Sequence, residues 1–245
     1  MVSATTCLML CMAGASAVEA NTDYFSAYRQ ARDGKRMLLI DLGVGFDFST
    51  IAPEKLSGHV LCKVPVDHTI EVNGQRVRLI DSPAFQALGK QPGLVVVDLR
   101  NEKTRRLAVS VMPQRHVTKQ HVEALLSLPA GTLTQRTLLW AFRVHPERPA
   151  GVLGNADTTL MNHASNHSAE QAQFNAMYHA YSFPGSFEIV AESWSNQTIV
   201  DAAIDLVNLW QSSPPHWWAA TSQWHKFGCD MKSNGQQWFA TGVFE

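Results

Sequence analysis

The chain has 245 residues, 45% of them hydrophobic, which suffices for two compact cores and leaves one large domain possible on length alone. Its 20 basic and 21 acidic side chains are mixed along the sequence and give a formal net charge of -1. No basic stripe is available to neutralise a phosphate backbone, so no nucleic acid is expected as a partner. Composition divides the chain instead: all 7 Trp lie from Trp140 onward, and six of the 10 His from His145 onward. The halves are built from different materials, which points to two domains.

Residues 1–20 carry no charge before Glu19 and hold an apolar stretch, Cys7 to Ala13, followed by small residues. Ala15-Ser-Ala17 and Val18-Glu-Ala20 approximate the small-x-small pattern cut by a signal peptidase. The stretch is shorter than the roughly 20 apolar residues that span a bilayer. An export signal, a secreted or periplasmic (cell-envelope) location and no transmembrane segment in the mature chain are therefore expected. The Lys or Arg usual near the start of such a signal is absent, and a frayed or mis-started N-terminus is the alternative. Of the 4 Cys, Cys7 and Cys11 would leave with the signal, and Cys62 and Cys229 would remain. A bridge between them is conceivable in an oxidising compartment, but burial as two small hydrophobes is the favoured expectation.

Tyr24 to Asp33 is helix-like, Gly34 is a turn residue and Met37 to Leu42 is a short apolar run, giving helix, turn and buried strand. Val60 to Val66, Gly93 to Asp98 and Leu107 to Val111 share the strand character, while Val117 to Leu128 is amphipathic and helix-like. Such alternation predicts an α/β layered sheet. Asn73-Gly74, between Thr69–Val72 and Val77–Ile80, is a strong tight-turn signal.

Lys35-Arg-Met-Leu-Leu-Ile-Asp-Leu-Gly43, Ile51-Ala-Pro53, Lys63-Val-Pro-Val-Asp67 and Gln91-Pro-Gly-Leu-Val-Val-Val-Asp98 together resemble the thioredoxin family in order and spacing. The resemblance implies a thioredoxin-like α/β sandwich over residues 21–130. In that family a Cys-x-x-Cys motif follows the first central strand, where a helix N-terminus favours the thiolate. The matching segment here is Gly45-Phe-Asp-Phe48, so dithiol exchange at this position is chemically impossible. Pro92 falls where the family carries a cis-proline, making Gln91–Pro92 a candidate cis bond, with an ordinary trans proline as the alternative. Phe46 and Phe48 are expected to plug the old active site, or else to present apolar surface to a partner.

Leu128-Pro-Ala-Gly131 and His145-Pro-Glu-Arg-Pro-Ala-Gly151 break the chain on either side of a short helix, Thr134 to Arg143. Residues 131–150 are thus expected to be a linker helix, docked because Leu138, Leu139 and Trp140 want burial. Beyond it, Asp157 to His179 and Ile199 to Trp210 have helical periodicity. Lys226–Met231 and Gln237–Phe244 read as paired strands around the Ser233-Asn-Gly235 turn.

Ala164-x-x-His167-Ser, Tyr178-His179, Ala191-Glu192-Ser193, Trp210-Gln-Ser-Ser-Pro-Pro-His216 and Phe227-Gly-Cys229 are together similar to the bacterial branch of the CAP (SCP-like) superfamily. The resemblance implies a smaller α+β (α-β-α, CAP-like) domain over residues 151–245, with His179, Glu192 and His216 converging in a cleft. It departs from the family at Ala191 and Ser193 around Glu192, at Pro215 before His216, and in lacking an acidic residue on the last helix, where Ser213 lies nearby. Two imidazoles and one carboxylate are a plausible zinc ligand set, leaving a position for water, and equally a structural hydrogen-bonded network. His163 and His167, one helical turn apart, are a second conceivable metal pair. Trp217 and Trp218 offer a flat apolar wall for a ligand or for the core.

These readings lead to the expectation of an exported, non-catalytic binding or scaffolding protein with no cofactor unless zinc. Its unknown protein, peptide or lipid ligand would be held at His179, Glu192, Ser213, His216 and Trp217. The rival is a metal-dependent hydrolase using the same pocket; a thiol oxidoreductase using Cys62 or Cys229 is a third possibility.

Overall fold

The computed structural model describes residues 19–100, 102, 107–180 and 186–245. The expected export signal, with Cys7 and Cys11, lies outside them except for Glu19 and Ala20. Among the described residues no helix is long and apolar enough to cross a membrane. The fold is mixed α/β, as expected, with two four-stranded sheets and a hairpin.

In the first half, α1 (Tyr24–Asp33) starts where the Asp23 side chain accepts from the Ser26 N–H, and buries Ala27 and Ala31, one turn apart. It packs against β1 (Met37–Leu42) and β2 (His59–Val64). Every residue of β1 is buried, as an apolar run covered on both faces requires. β1 is parallel to β2, and their crossover runs through a 3-10 turn at Phe48–Thr50 and the short α2 (Pro53–Leu56). The Asn73-Gly74 turn joins β3 (Thr69–Val72) to β4 (Gln75–Arg78), with φ of 53° and 76° at its two residues. Positive φ at both positions matches the right-handed twist of a two-residue hairpin and is easiest for Asn and Gly. β5 (Gly93–Asp98) runs antiparallel to β1, and β6 (Ala108–Pro113) antiparallel to β5, giving the order β2-β1-β5-β6.

No described peptide bond is cis, so Gln91–Pro92 is trans, correcting the cis bond the resemblance implied. Trans is the favoured isomer of an X–Pro bond by about 0.5–1 kcal/mol, and here the Pro92 carbonyl accepts from the Gln114 N–H at 2.9 Å.

α3 (Lys119–Leu126) leads into α4 (Leu133–Val144), which opens with a capping box formed by Thr132 and Gln135. Residues Gln135 to Phe142 of α4 are buried without interruption, because one side meets β6 and α3 while the other meets elements of the second half. Arg136, 1% exposed, donates to Ser110 Oγ at 2.7 Å and to the carbonyls of Leu128 and Pro129. Burial lowers its pKa to about 10.

The second sheet has the order β7-β9-β10-β8. It comprises β7 (Asn155–Ala156), β8 (Phe187–Glu192), β9 (Lys226–Ser233) and β10 (Trp238–Phe244), with α5 (Thr158–Phe174), α6 (Ile199–Gln211) and α7 (Pro214–Thr221) around it. α5 crosses β9 and β10. A Cβ on Gly228 would lie 2.1 Å from the Leu160 carbonyl carbon, so glycine is what permits this approach. α6 packs on α4, with Phe142 stacked on Trp210 at 5.2 Å, and one buried apolar cluster runs through both halves.

Three elements differ from the sequence reading. α5 stops at Phe174, short of His179, because Asn175 takes the left-handed conformation at φ 51°. Glu192 ends a strand, β8, where the sequence pattern marked no element. His216 lies in a helix, α7, whose opening Pro214-Pro215 looks like a breaker but is tolerated in a first turn that needs no donor.

Candidate functional site

Three of the expected residues line one cavity. Glu192 at the end of β8, Ser213 before α7 and His216 within it border a recess of about 390 Å³ together with Met177, Val190, Trp194, Leu209, Trp210 and Gln237. Glu192 Oε1 accepts from Gln237 Nε2 at 2.8 Å. Ser213 makes no side-chain capping bond to α7, and among the described residues no hydrogen bond joins it to His216. Burial, then the neighbouring His179, lowers the His216 pKa. Trp194 at the recess is 69% exposed. Trp217 is elsewhere: its Nε1 donates to Glu147 Oε2 at 2.8 Å and its ring lies 4.9 Å from that of His145.

His179 stands beside this recess, its ring 5.8 Å from that of His216. The carboxylate it meets is Glu188, at 3.1 Å from Nδ1 to Oε2, rather than Glu192. Four residues of extended strand separate Glu188 from Glu192, about 13 Å along β8. One ion therefore cannot hold both carboxylates.

Glu188 is the residue at this cluster that the sequence did not single out. Its Oε1 lies 2.9 Å from His167 Nδ1 and 3.4 Å from His163 Nε2, and its Oε2 accepts from the Ala180 N–H at 2.8 Å. These bonds outweigh the upward push of burial, and the carboxyl is held below its ordinary range. The histidine spacing on α5 was legible, as i and i+4 of one helix. The carboxylate had no local signal that set it apart from Glu192, the other acid of the same strand.

No family model, curated protein or solved structure matches the chain. Function must come from the geometry of these groups.

The loop after β1 carries no comparable chemistry. Asp41, 2% exposed, accepts from the N–H groups of Val44, Gly45 and Phe46 at 2.8, 3.2 and 2.8 Å, which fixes the loop. Phe46 and Phe48 meet edge to face at 4.9 Å, and Phe48 is buried. Lys63 Nζ lies 5.3 Å from the Phe48 ring centre and donates to the Phe46 carbonyl. Cys62 and Cys229 are free and buried, and burial pushes the Cys62 thiol up to about 12 and the Cys229 thiol higher still. Neither is a thiolate at neutral pH, and the thiolate is the reactive form. A larger cavity, about 660 Å³, borders the start of α4, and Asp98 and Arg100 in its lining are joined at 2.7 Å.

Proposed function

We propose that the chain is an exported, non-catalytic binding protein that takes an amphipathic ligand, a lipid or an apolar peptide, in the recess between β8, α6 and α7. The observation that carries this is the recess itself. Its 390 Å³ falls within the roughly 300–1,000 Å³ usual for small-ligand sites. Its wall is largely apolar, from Val190, Leu209 and Trp210, and a few polar groups converge on it: Glu192, Ser213, His216 and Gln237. A ligand with one polar end and an apolar body satisfies both.

A hydrolase would need a nucleophile held by a base, or a metal-bound water facing the recess. Ser213 is not bonded to His216, and the carboxylate nearest His179 points to α5. The same reading takes the first half as a redox-inactive thioredoxin-like module and the second as CAP-like. A parallel β1–β2 pair joined to the antiparallel β5 and β6 supports the former, and the antiparallel β9, β10 and β8 packed against α5 and α6 support the latter.

Titrating the purified chain with a fluorescent fatty acid and with a labelled apolar peptide tests the proposal. Saturable binding of one of them, weakened roughly tenfold by Ser213→Trp filling the recess, is expected; a tenfold loss corresponds to about 1.4 kcal/mol. Binding of neither probe, or ester or peptide turnover lost in His216→Ala, would overturn it.

A further inference from the structure

We propose that His163, His167 and Glu188 form a binding site for one divalent transition-metal ion of the zinc class, separate from the ligand recess. The two histidines are one turn apart on α5, which Gly228 lets settle against the sheet, and Glu188 stands on β8 facing them. Their side chains are 18%, 2% and 7% exposed. One ligand atom from each of the three falls within 4.8 Å of the others.

The spacing suits an ion. A tetrahedral centre with bonds of about 2.0–2.1 Å separates its ligand atoms by about 3.3 Å, and the two histidine-to-carboxylate distances are 2.9 and 3.4 Å. The carboxylate is also oriented in advance. Its Oε2 is occupied by the Ala180 N–H and by His179, which leaves Oε1 directed at the two imidazoles, as outer partners commonly orient a metal-binding group.

Two imidazoles and one carboxylate select the class of ion. Calcium and magnesium prefer shells of oxygen, whereas imidazole suits zinc and its neighbours. Three protein ligands leave a fourth position for water. For His167 to bind through Nδ1, its Nε2 must keep the proton and needs an acceptor. Gln171, fully buried, has its Nε2 3.4 Å from that nitrogen and its Oε1 without a partner. Turning the amide over presents Oε1 to the Nε2–H, at the expense of the Gln171 bond to the Tyr178 carbonyl.

The experiment is metal binding by the full chain. Chelator-stripped protein is dialysed against rising free zinc, bound metal is measured by mass spectrometry, and the melting temperature is followed in parallel. A single saturable equivalent that raises the melting temperature is expected. His163→Ala and Glu188→Gln should each weaken it roughly a hundredfold, since outer partners alone are worth about 10–100-fold. His216→Ala should leave it in place. Cobalt(II) should give the visible absorption of a tetrahedral ion in the unaltered chain and lose it in Glu188→Gln, which keeps the side-chain shape if His163→Ala does not fold. Absence of saturable zinc in the unaltered chain would overturn the site and leave a hydrogen-bonded cluster. So would retention in both variants, or loss in His216→Ala with retention in His163→Ala.

Discussion

After β1, the buried carboxylate of Asp41 is answered by three backbone N–H groups, and Phe46 and Phe48 in the segment that follows meet edge to face. Beside α5, the buried carboxylate of Glu188 is answered by three imidazoles and one backbone N–H. Backbone donors are fixed and carry no exchangeable charge, so the first arrangement is complete as it stands and serves the fold. Imidazoles can exchange a proton or accept an ion, so the second can change state. A buried acid thus points to function according to what answers it, more than by being buried.

The largest expected effect breaks the first side of this comparison. Phe48→Ala removes a ring that is 5% exposed and should cost about 3–5 kcal/mol, the range for a buried Phe reduced to Ala. Chemical denaturation measures it. Zinc binding at His163 should be unchanged, and a metal site lost together with the Phe48 ring would mean that the halves are not independent in this respect.

Next in size is a pH dependence belonging to the first half. His59 is 5% exposed, and burial, then Arg136, Arg100 and Arg36, lowers its pKa from 6.5 to about 4. The unfolded chain then takes up the proton first. The stabilisation is complete above about pH 6.5 and is lost as pH falls from there to about 4. At about 1.4 kcal/mol per pH unit it is on the order of 3 kcal/mol in all. Unfolding free energies at about pH 7 and about pH 5 should differ by about 2 kcal/mol more in the unaltered chain than in His59→Gln; equal differences would remove His59 as the cause.

The smallest effect concerns the join between the halves. Arg115 donates to both carboxylate oxygens of Asp201 at 2.8 and 2.6 Å, but their side chains are 43% and 35% exposed. Arg115→Ala should therefore cost no more than about 1 kcal/mol. A larger loss in denaturation would show that the ion pair, rather than the burial of α4, holds the two sheets together.

Much of the fold was legible because it is written in local patterns. The β1 apolar run, the Asn73-Gly74 turn and the periodicity of α1 and α6 each depend on residues within a few positions of one another. β8 and α7 were not legible. β8 is a six-residue edge strand whose pairing lies with β10, some fifty positions away, and α7 begins with two prolines that locally resemble a stop. His216, Ser213 and Glu192 do share a recess, whereas Trp217 turns toward Glu147.

By itself the sequence determined the α/β class, the strands and turns of the first half, the absence of a dithiol after β1, and the i, i+4 pairing of His163 with His167. All of these follow from composition or from spacings along one element. Only the tertiary structure decided that α4 is buried between two sheets, that Glu188 rather than Glu192 meets the histidines, and that Glu192 and His216 border an apolar recess. Those outcomes depend on which strand lies next to which helix, and that is set by long-range packing, in which side chains far apart in sequence compete for the same buried space.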